Sequence, residues 1–330
     1  MRLLGIEELS VSFDTDDGVV RAAENVSLTV GTGETVGLVG ESGCGKTVTA
    51  LSILRLVPSP PGRISSGRVL FHGRDLLTLP PQELRAVRGR AISMVFQEPM
   101  TALSPLHRVG RQLVETVRLH RRISRPDAGR LAREWLRKVG IPDPERSCRA
   151  YPFQLSGGMR QRVMIAMALM LAPELIVADE PTTALDVTIQ AQVFDLMRDM
   201  RSRDTALLLI THDMGVVWEM CARVAVMYAG EIVESAGVRE LFARPLHPYT
   251  EALLASIPPM GGRAHARLTP IKGQVPSPLR YPTGCRFRDR CPYAFARCAG
   301  EHPDMVAVGQ RRARCFLAEE CGAGIAKREA

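Results

Sequence analysis

One segment of the chain has the residue types and the spacing that bind a chain of phosphates. Residues 40–47 read GESGCGKT, which fits the pattern G-x-x-x-x-G-K-[ST]. Glycines let backbone N–H groups converge on phosphate oxygens, and a helix that begins here directs its positive N-terminus at the same anion. In this pattern Lys46 reaches the β- and γ-phosphates and Thr47 holds Mg²⁺. The predicted nucleotide-binding residues are Gly40, Glu41, Ser42, Gly43, Cys44, Gly45, Lys46 and Thr47.

A second segment ends an apolar run with two acids. Residues 175–180 read LIVADE, and a continuous apolar run is typical of a buried parallel strand. Asp179 at its end can hold the water shell of a metal ion, and Glu180 can orient an attacking water. An ordinary strand end has the same pattern. Beside a phosphate-binding loop, the pattern favours nucleotide hydrolysis.

A third segment predicts a second anion-binding site. Residues 155–162 read LSGGMRQR, which places a serine and two glycines at the start of a predicted helix. One chain cannot easily aim this loop and residues 40–47 at the same triphosphate. We therefore expect a dimer in which the LSGGM loop caps the nucleotide that the partner's phosphate loop holds.

These segments, in this order, resemble the ABC-transporter ATPase family over about residues 5–258. Gln97, in VFQEP, is similar to the family's Q-loop, and His212, in ITHD, to its switch histidine. Asp186, in TALD, resembles the D-loop residue, and Phe13 stands where the family places an aromatic ring against adenine. The signature loop, with methionine where glutamine is commonest, comprises Leu155, Ser156, Gly157, Gly158 and Met159.

The resemblance implies a mechanism for ATP hydrolysis. Two ATP molecules are expected between two subunits, each held by one phosphate loop and by the other subunit's signature loop. Glu180 is expected to orient water or to accept its proton, while His212 contacts the γ-phosphate. Lys46 is expected to neutralise phosphate charge and Gln97 to sense the metal and the water. The expected Mg²⁺ ligands are Thr47, Gln97 and Asp179.

Longer segments narrow the resemblance to one subfamily. MVFQEPMTALSP (94–105), LFARPLHPYTEALLASIP (241–258) and the C-terminal extension resemble the ATP-binding subunits of bacterial oligopeptide and dipeptide importers. This resemblance implies an ATPase at the cytoplasmic face of the membrane that energises import of peptides or related small substrates. The implied partners are two membrane permeases and a second ATPase subunit. A homologous second subunit is preferred over a second copy of this chain. An extracytoplasmic peptide-binding protein is an indirect partner.

Cysteines crowd the C-terminal end of the chain. The spacing of Cys285, Cys291, Cys298 and Cys315, with Cys321 spare, matches neither the zinc C-x₂-C pair nor the ferredoxin runs. An iron–sulfur cluster, zinc and free thiols are all compatible with this spacing. Arginines nearby favour a negatively charged metal–thiolate site over free thiols. They do not distinguish an iron–sulfur cluster from zinc. The resemblance to the importers implies a [4Fe–4S] cluster bound by the first four of these cysteines.

Composition excludes several classes of protein. The 330 residues are 45% hydrophobic and 24% charged, so the chain can bury a core and is long enough for two domains. Aromatic residues make up only 5%, which argues against a stacking surface for single-stranded nucleic acid, despite a net charge of +8. No uncharged apolar run reaches the roughly 20 residues of a bilayer span, and the N-terminus lacks a signal peptide's apolar stretch. We therefore expect a cytosolic chain with no nucleic-acid partner.

The expected fold is α/β, with a P-loop (RecA-like) ABC ATPase core, an antiparallel β subdomain and a helical subdomain at about 98–160. The expected domains are a nucleotide-binding domain, 1–258, and a small cysteine-rich extension, 259–330. The alternative function is a soluble ABC ATPase in iron–sulfur assembly, translation or DNA repair. A single cassette, and only residues 98–154 between Gln97 and LSGGM, argue against it. A GTPase is disfavoured because no N-K-x-D motif is present.

Overall fold

The computed structural model describes residues 1–98, 102–182, 187–200, 202–257 and 270–322, so Asp186 of the expected D-loop lies outside it. The chain forms two compact units. Unit 1 comprises residue 1, residues 31–34 and residues 78–210. Unit 2 comprises residues 2–30, residues 35–77 and the chain from residue 211 onward.

The strands and helices are numbered in chain order. The strands are β1 (Arg2–Thr15), β2 (Gly18–Gly31), β3 (Thr35–Val39), β4 (Gly62–Phe71), β5 (Arg74–Asp75), β6 (Ile92–Val95), β7 (Leu175–Asp179), β8 (Ala206–Thr211), β9 (Arg223–Tyr228), β10 (Glu231–Gly237), β11 (Val306–Val308) and β12 (Arg311–Ala313). The α-helices are α1 (Lys46–Ile53), α2 (Pro81–Val87), α3 (Val109–His120), α4 (Arg125–Lys138), α5 (Pro144–Arg149), α6 (Gly157–Leu169), α7 (Val187–Met200), α8 (Met214–Met220), α9 (Val238–Ala243), α10 (Pro248–Ala255), α11 (Ala296–Gly300) and α12 (Phe316–Gly322). Among the described residues, none of these helices combines the length and the apolar character that crossing a bilayer requires.

Unit 1 contains parallel strands whose apolar runs are buried. Strand β7 pairs in parallel with β6 on one side and with β8 on the other. All five residues of β7 are buried, as the continuous apolar run of LIVAD predicts. The strand therefore delivers Asp179 and the following Glu180 to the carboxyl end of a parallel sheet, where such folds bind their ligands.

Helices of unit 1 share one hydrophobic core. The apolar faces of α3, α4 and α6 meet in a cluster that includes Leu113, Leu136 and Val163. Met164 of α6 and Met170, the residue after its end, are buried as well. Gly140 follows α4 with a φ of 72°, the left-handed conformation expected of a glycine at the end of a helix.

Unit 2 contains an antiparallel sheet with the strand order β2-β1-β4-β5. Residues 58–67 read PSPPGRISSG, a composition typical of a loop, yet β4 begins at Gly62 and pairs with β1. Gly62 lies opposite Phe13, and Ile64 lies opposite Val11. Pairing with a distant strand overrides the glycine- and serine-rich local sequence, which on its own favours a loop.

The remaining strands of unit 2 have the order β11-β12-β10-β9-β3, with β3 and β9 parallel. Strands β9 and β10 form a hairpin, and the turn residues Ala229 and Gly230 have φ values of 46° and 86°. Positive φ at both turn positions matches the right-handed twist of a two-residue hairpin. Strand β12 pairs with β10, so the C-terminal extension belongs to unit 2, and a separate cysteine-rich domain is not confirmed.

The shared core of unit 1 predicts that two leucines on α3 contribute unequally to the free energy of unfolding. Leu113 is fully buried, whereas Leu119 is 73% exposed. Replacing Leu113 with alanine leaves a cavity and is expected to lower the free energy of unfolding by about 2–5 kcal/mol. Leu119→Ala is expected to change it by less than about 0.5 kcal/mol. Urea denaturation of both variants tests this, and equal losses would contradict the assigned core.

Candidate nucleotide site

The phosphate loop follows a fully buried strand and leads directly into a helix. Strand β3 ends at Val39, the loop occupies residues 40–45, and α1 begins at Lys46. Gly45 has a φ of 105°, and a Cβ atom there would lie 2.2 Å from the carbonyl oxygen of Ala22. Only glycine fits this position, because a side chain would clash with backbone and strain the left-handed conformation.

The loop holds the ammonium group of Lys46 at its centre. Nζ of Lys46 donates hydrogen bonds to the carbonyl oxygens of Gly40 at 2.8 Å and Glu41 at 2.9 Å, and lies 3.8 Å from Sγ of Cys44. Lys46 is only 4% exposed. Burial raises the pKa of the Cys44 thiol, although the charge of Lys46 opposes this. The loop thus presents one buried cation and the N-terminus of α1, an arrangement suited to a polyphosphate.

The C-terminal part of unit 2 contacts the same loop through Glu41. The backbone N–H of Glu41 donates to the hydroxyl of Tyr249 at 2.9 Å. Its carboxylate accepts two hydrogen bonds from the guanidinium of Arg290, at 2.7 Å and 3.0 Å. The sequence analysis missed Tyr249 and Arg290 because both lie far from the loop in sequence and belong to no nucleotide-binding motif.

Unit 1 brings together two of the predicted catalytic residues. Nε2 of Gln97 donates a hydrogen bond to the carboxylate of Glu180 at 3.2 Å. Glu180 has a φ of 42°, and its backbone N–H donates to the carbonyl oxygen of Ile210 in β8 at 2.9 Å. Asp179, the residue before it, is buried at the end of β7. The strand end therefore holds two carboxylates in different surroundings, one buried and one bound to the Q-loop glutamine.

A buried glutamine that the sequence analysis missed lies next to this strand end. Gln161 of α6 is 2% exposed, and its side-chain amide donates a hydrogen bond to the carbonyl oxygen of Pro181. The signature-loop helix therefore contacts the chain directly after Glu180. The QR pair in LSGGMRQR is visible in the sequence, but nothing in that pattern identifies Pro181 as its partner.

The signature loop caps its own helix and leaves part of itself exposed. Ser156 is the N-cap of α6, and its side chain accepts a hydrogen bond from the N–H of Met159 at 3.3 Å. Leu155 is buried in the helical core of unit 1, whereas Ser156 and Gly157 are exposed. The buried leucine fixes a loop whose polar residues face outward, and Gly158 and Met159 are half-buried beside them.

The predicted switch histidine and adenine-contacting aromatic lie in unit 2. His212 is exposed and precedes Asp213, which caps α8 by accepting from the N–H groups of Gly215 and Val216 at 2.8 Å and 3.2 Å. Phe13 is half-buried on β1. The candidate residues therefore belong to both units, with Gln97, Asp179, Glu180 and the signature loop in unit 1 and the others that are described in unit 2.

Four cysteines of the extension line one small cavity in unit 2. Cys285, Cys291, Cys298 and Cys315 share its wall with apolar side chains that include Phe287 and Phe316. Burial raises the pKa of Cys285 to about 12 and that of Cys315 to about 11. Among the described residues, no group of three or more His, Cys, Asp or Glu side chains has the arrangement to hold a metal ion. The expected iron–sulfur site is therefore not supported by a preformed ligand set.

Comparisons with known proteins identify the family. The ABC transporter family matches residues 23–183, and the oligopeptide/dipeptide transporter C-terminal region matches residues 233–298. A probable peptide ABC transporter ATP-binding protein of Sinorhizobium fredii is 54% identical over 321 residues, which are 96% of each chain. This chain belongs to the family of ABC-transporter ATP-binding proteins. The predicted ATPase class and the resemblance to the oligopeptide and dipeptide importers are confirmed.

Further relatives agree with this assignment. The oligopeptide transport ATP-binding protein AppD of Bacillus subtilis is 47% identical over 323 residues, 97% of this chain and 98% of AppD. A dimeric ATP-binding cassette in a post-hydrolysis state, bound to ADP and phosphate, is similar with a TM-score of 0.64 and 27% identity. That similarity covers 72% of this chain and 99% of the other. The predicted mixed α/β fold of an ABC ATPase cassette is thus confirmed.

The geometry of the loop predicts that Gly45→Ala in this ABC ATPase abolishes measurable ATP binding, because Cβ would displace the turn that precedes Lys46. Gly73 provides the control: it has a φ of 78° and no atom within 4 Å of an added Cβ. Gly73→Ala is expected to bind ATP like the unaltered protein. Titration with a fluorescent ATP analogue measures both, and normal affinity in Gly45→Ala would refute the predicted clash.

Proposed function

We propose that the chain is the ATP-hydrolysing subunit that energises import of dipeptides, oligopeptides or related small substrates through a membrane ABC transporter. The observation that carries this proposal is that similarity to peptide-transport ATP-binding proteins spans the cassette and the C-terminal region together. A soluble ABC ATPase for iron–sulfur assembly, translation or DNA repair is not favoured, because residues 233–298 match a region characteristic of oligopeptide and dipeptide transporters.

The proposed roles at the nucleotide follow from the motif to which each residue belongs. Lys46 and the backbone N–H groups of residues 40–47 neutralise phosphate charge, and Phe13 contacts adenine. Glu180 orients the attacking water or accepts its proton, and its hydrogen bond to Gln97 supports a carboxylate held by the Q-loop. His212 contacts the γ-phosphate. Thr47, Gln97 and Asp179 supply the hard oxygen donors that suit Mg²⁺, whose charge lowers the barrier to phosphoryl transfer.

The functional unit that we propose is a dimer of cassettes. The signature loop exposes Ser156 and Gly157, the residues expected to contact a nucleotide on the opposite subunit. The similar cassette bound to ADP and phosphate is described as dimeric, which supports this arrangement. ATP then favours the closed dimer because it binds both subunits, and hydrolysis removes the bridging phosphate. Asp186 is the proposed D-loop residue of the same interface.

The proposed partners are those of a peptide importer. Two membrane permeases bind the ATPase pair at the cytoplasmic face of the membrane, and an extracytoplasmic peptide-binding protein delivers the substrate. The second ATPase subunit is a homologous chain rather than a copy of this one. Within the nucleotide-binding domain, 1–258, we assign residues of about 98–160 to the helical subdomain. We propose that a permease helix binds near residues 98–105.

The proposed roles of Glu180 and Lys46 predict that substitution of Glu180 abolishes turnover, whereas substitution of Lys46 abolishes ATP binding. Glu180→Gln keeps the shape of the side chain but removes the proton acceptor, so ATP binding and dimer formation persist while turnover falls by at least about 100-fold. Lys46→Ala removes the buried cation and abolishes ATP binding. Phosphate release, ATP titration and size-exclusion chromatography with ATP separate these outcomes. Turnover at the unaltered rate in Glu180→Gln would refute the role of Glu180, and unaltered binding in Lys46→Ala would refute the phosphate loop.

We also propose that the four cysteine thiols around the cavity bind a [4Fe–4S] cluster. All four side chains line one cavity, and its other walls are largely apolar. A cluster of four irons and four sulfides separates its ligating thiolates farther than a single ion does, so thiols that form no site for one ion can still suit it. The extension, 259–330, then serves as the cluster-binding part of the chain.

This proposal is tested on the full chain purified without oxygen. Equimolar [4Fe–4S] predicts four irons and four sulfides per chain together with visible charge-transfer absorption. Cys291→Ser is expected to lose most of the iron, whereas Cys148→Ser, at a half-buried cysteine in unit 1, is expected to retain it. Stoichiometric zinc, or four titratable thiols with no metal, would exclude the cluster.

A further inference from the structure

An acid in a phosphate-binding loop is electrostatically unfavourable, and this chain has one at its second loop position. Glu41 lies between Gly40 and Ser42, and its side chain is 28% exposed. Near a bound triphosphate, an unpaired carboxylate would repel the ligand at short range. The loop therefore requires a partner that neutralises Glu41 and directs its side chain away from the phosphates.

Arg290, in the C-terminal extension, is that partner. Its guanidinium forms two hydrogen bonds with the Glu41 carboxylate, at 2.7 Å and 3.0 Å, the bidentate geometry that only arginine provides. The Arg290 side chain is 4% exposed, so water screens this ion pair weakly. Removing Arg290 leaves the half-buried carboxylate of Glu41 uncompensated.

The surroundings of Arg290 fix the position of its guanidinium. Nε donates to the carbonyl oxygen of Lys272 at 2.9 Å, and the guanidinium lies 5.7 Å from the ring centre of Tyr228 and 5.9 Å from that of Phe287. Tyr228, Phe287 and Tyr249 are fully buried and contact one another, with ring centres 4.6–5.5 Å apart. Such cation–π contacts favour a charged group held over aromatic faces. The guanidinium is thus preorganised before any nucleotide binds.

All three polar groups of Glu41 are held at once. The carboxylate binds Arg290, the N–H donates to Tyr249, and the carbonyl oxygen accepts from Lys46. When Lys46 turns toward a phosphate, the first two contacts still fix the backbone of the loop. The C-terminal extension therefore determines the shape of the loop even though it contributes no residue of the loop itself.

We propose that Arg290 is a positioning residue of the nucleotide site, which holds Glu41 away from the triphosphate and so makes the C-terminal extension a working part of the ATP-binding site. This inference rests on the proposed assignment of residues 40–47 as the phosphate loop. It implies that nucleotide affinity depends on a residue in a segment that follows the cassette in the chain.

The test measures the Kd of the full chain for Mg-ATP and the KM and kcat of its ATPase activity. Arg290→Met is expected to raise the Kd and the KM on the order of tenfold, because the carboxylate is left unpaired near the phosphates. The value of kcat should change much less, since the chemical groups are untouched. Arg290→Lys, which retains the charge without the bidentate fork, is expected to give an intermediate Kd.

A second substitution distinguishes positioning from a general loss of structure. In Glu41→Gln/Arg290→Met the repelling carboxylate is removed as well, so the Kd is expected to return most of the way to the unaltered value. The matched control is Arg288→Met, in the same 3₁₀ turn, whose guanidinium donates to Ala299 within the extension at 2.9 Å. It is expected to leave the Kd close to that of the unaltered chain.

The outcomes separate this inference from the proposed function. Equal increases of the Kd in Arg288→Met and Arg290→Met, or no recovery in the double variant, would show that the extension supports the fold only and would overturn the proposal. An unaltered Kd in Arg290→Met would also overturn it. If Lys46→Ala abolishes ATP binding in the same assay, the assignment of residues 40–47 as the phosphate loop is supported, whatever the results for the Arg290 variants. If Lys46→Ala binds ATP normally, the proposed function itself is refuted, independently of the Arg290 variants.

Discussion

Binding a triphosphate requires a loop that concentrates positive potential without side chains in the way. In this chain the requirement is met by one buried ammonium, the N-terminus of α1 and a turn that only glycine can form at residue 45. The same concentration makes any nearby negative charge costly, and Glu41 is such a charge. The double hydrogen bond from Arg290 resolves the conflict, so loop and extension depend on one electrostatic balance.

The contacts of the extension show why it folds together with the phosphate loop in unit 2. Strand β12 continues the sheet from β10, and Arg286 binds Glu24 of β2 and the carbonyl oxygen of Ala229 in the β9–β10 turn. Glu231 is buried, which acts to raise its pKa, but His302, Arg286 and Arg314 hold that pKa below its ordinary value. These paired charges add to the small apolar cluster of Ala313, Cys315 and Ala318, because so short a segment cannot build a large core alone.

The parts of the site that sequence could predict are those made by neighbouring residues. The strand, loop and helix around residues 40–47 and the acids that end β7 are local patterns, and the structure has them. The contacts of Gln161 with Pro181 and of Arg290 with Glu41 join distant segments, so no spacing rule indicates them. The start of strand β4 cannot be predicted from sequence for the same reason, since its first residues form a strand only because β1 pairs with them.

The position of Arg290 connects two features of unit 2 that otherwise have separate purposes. The segment that carries it lies between Cys285 and Cys291, and Phe287 within that segment contacts the guanidinium while also lining the thiol cavity. A group bound by these thiols would fix both ends of the segment and hence the guanidinium. The short turn Arg288–Arg290 therefore lies between the thiol cavity and the ion pair of Arg290 with Glu41.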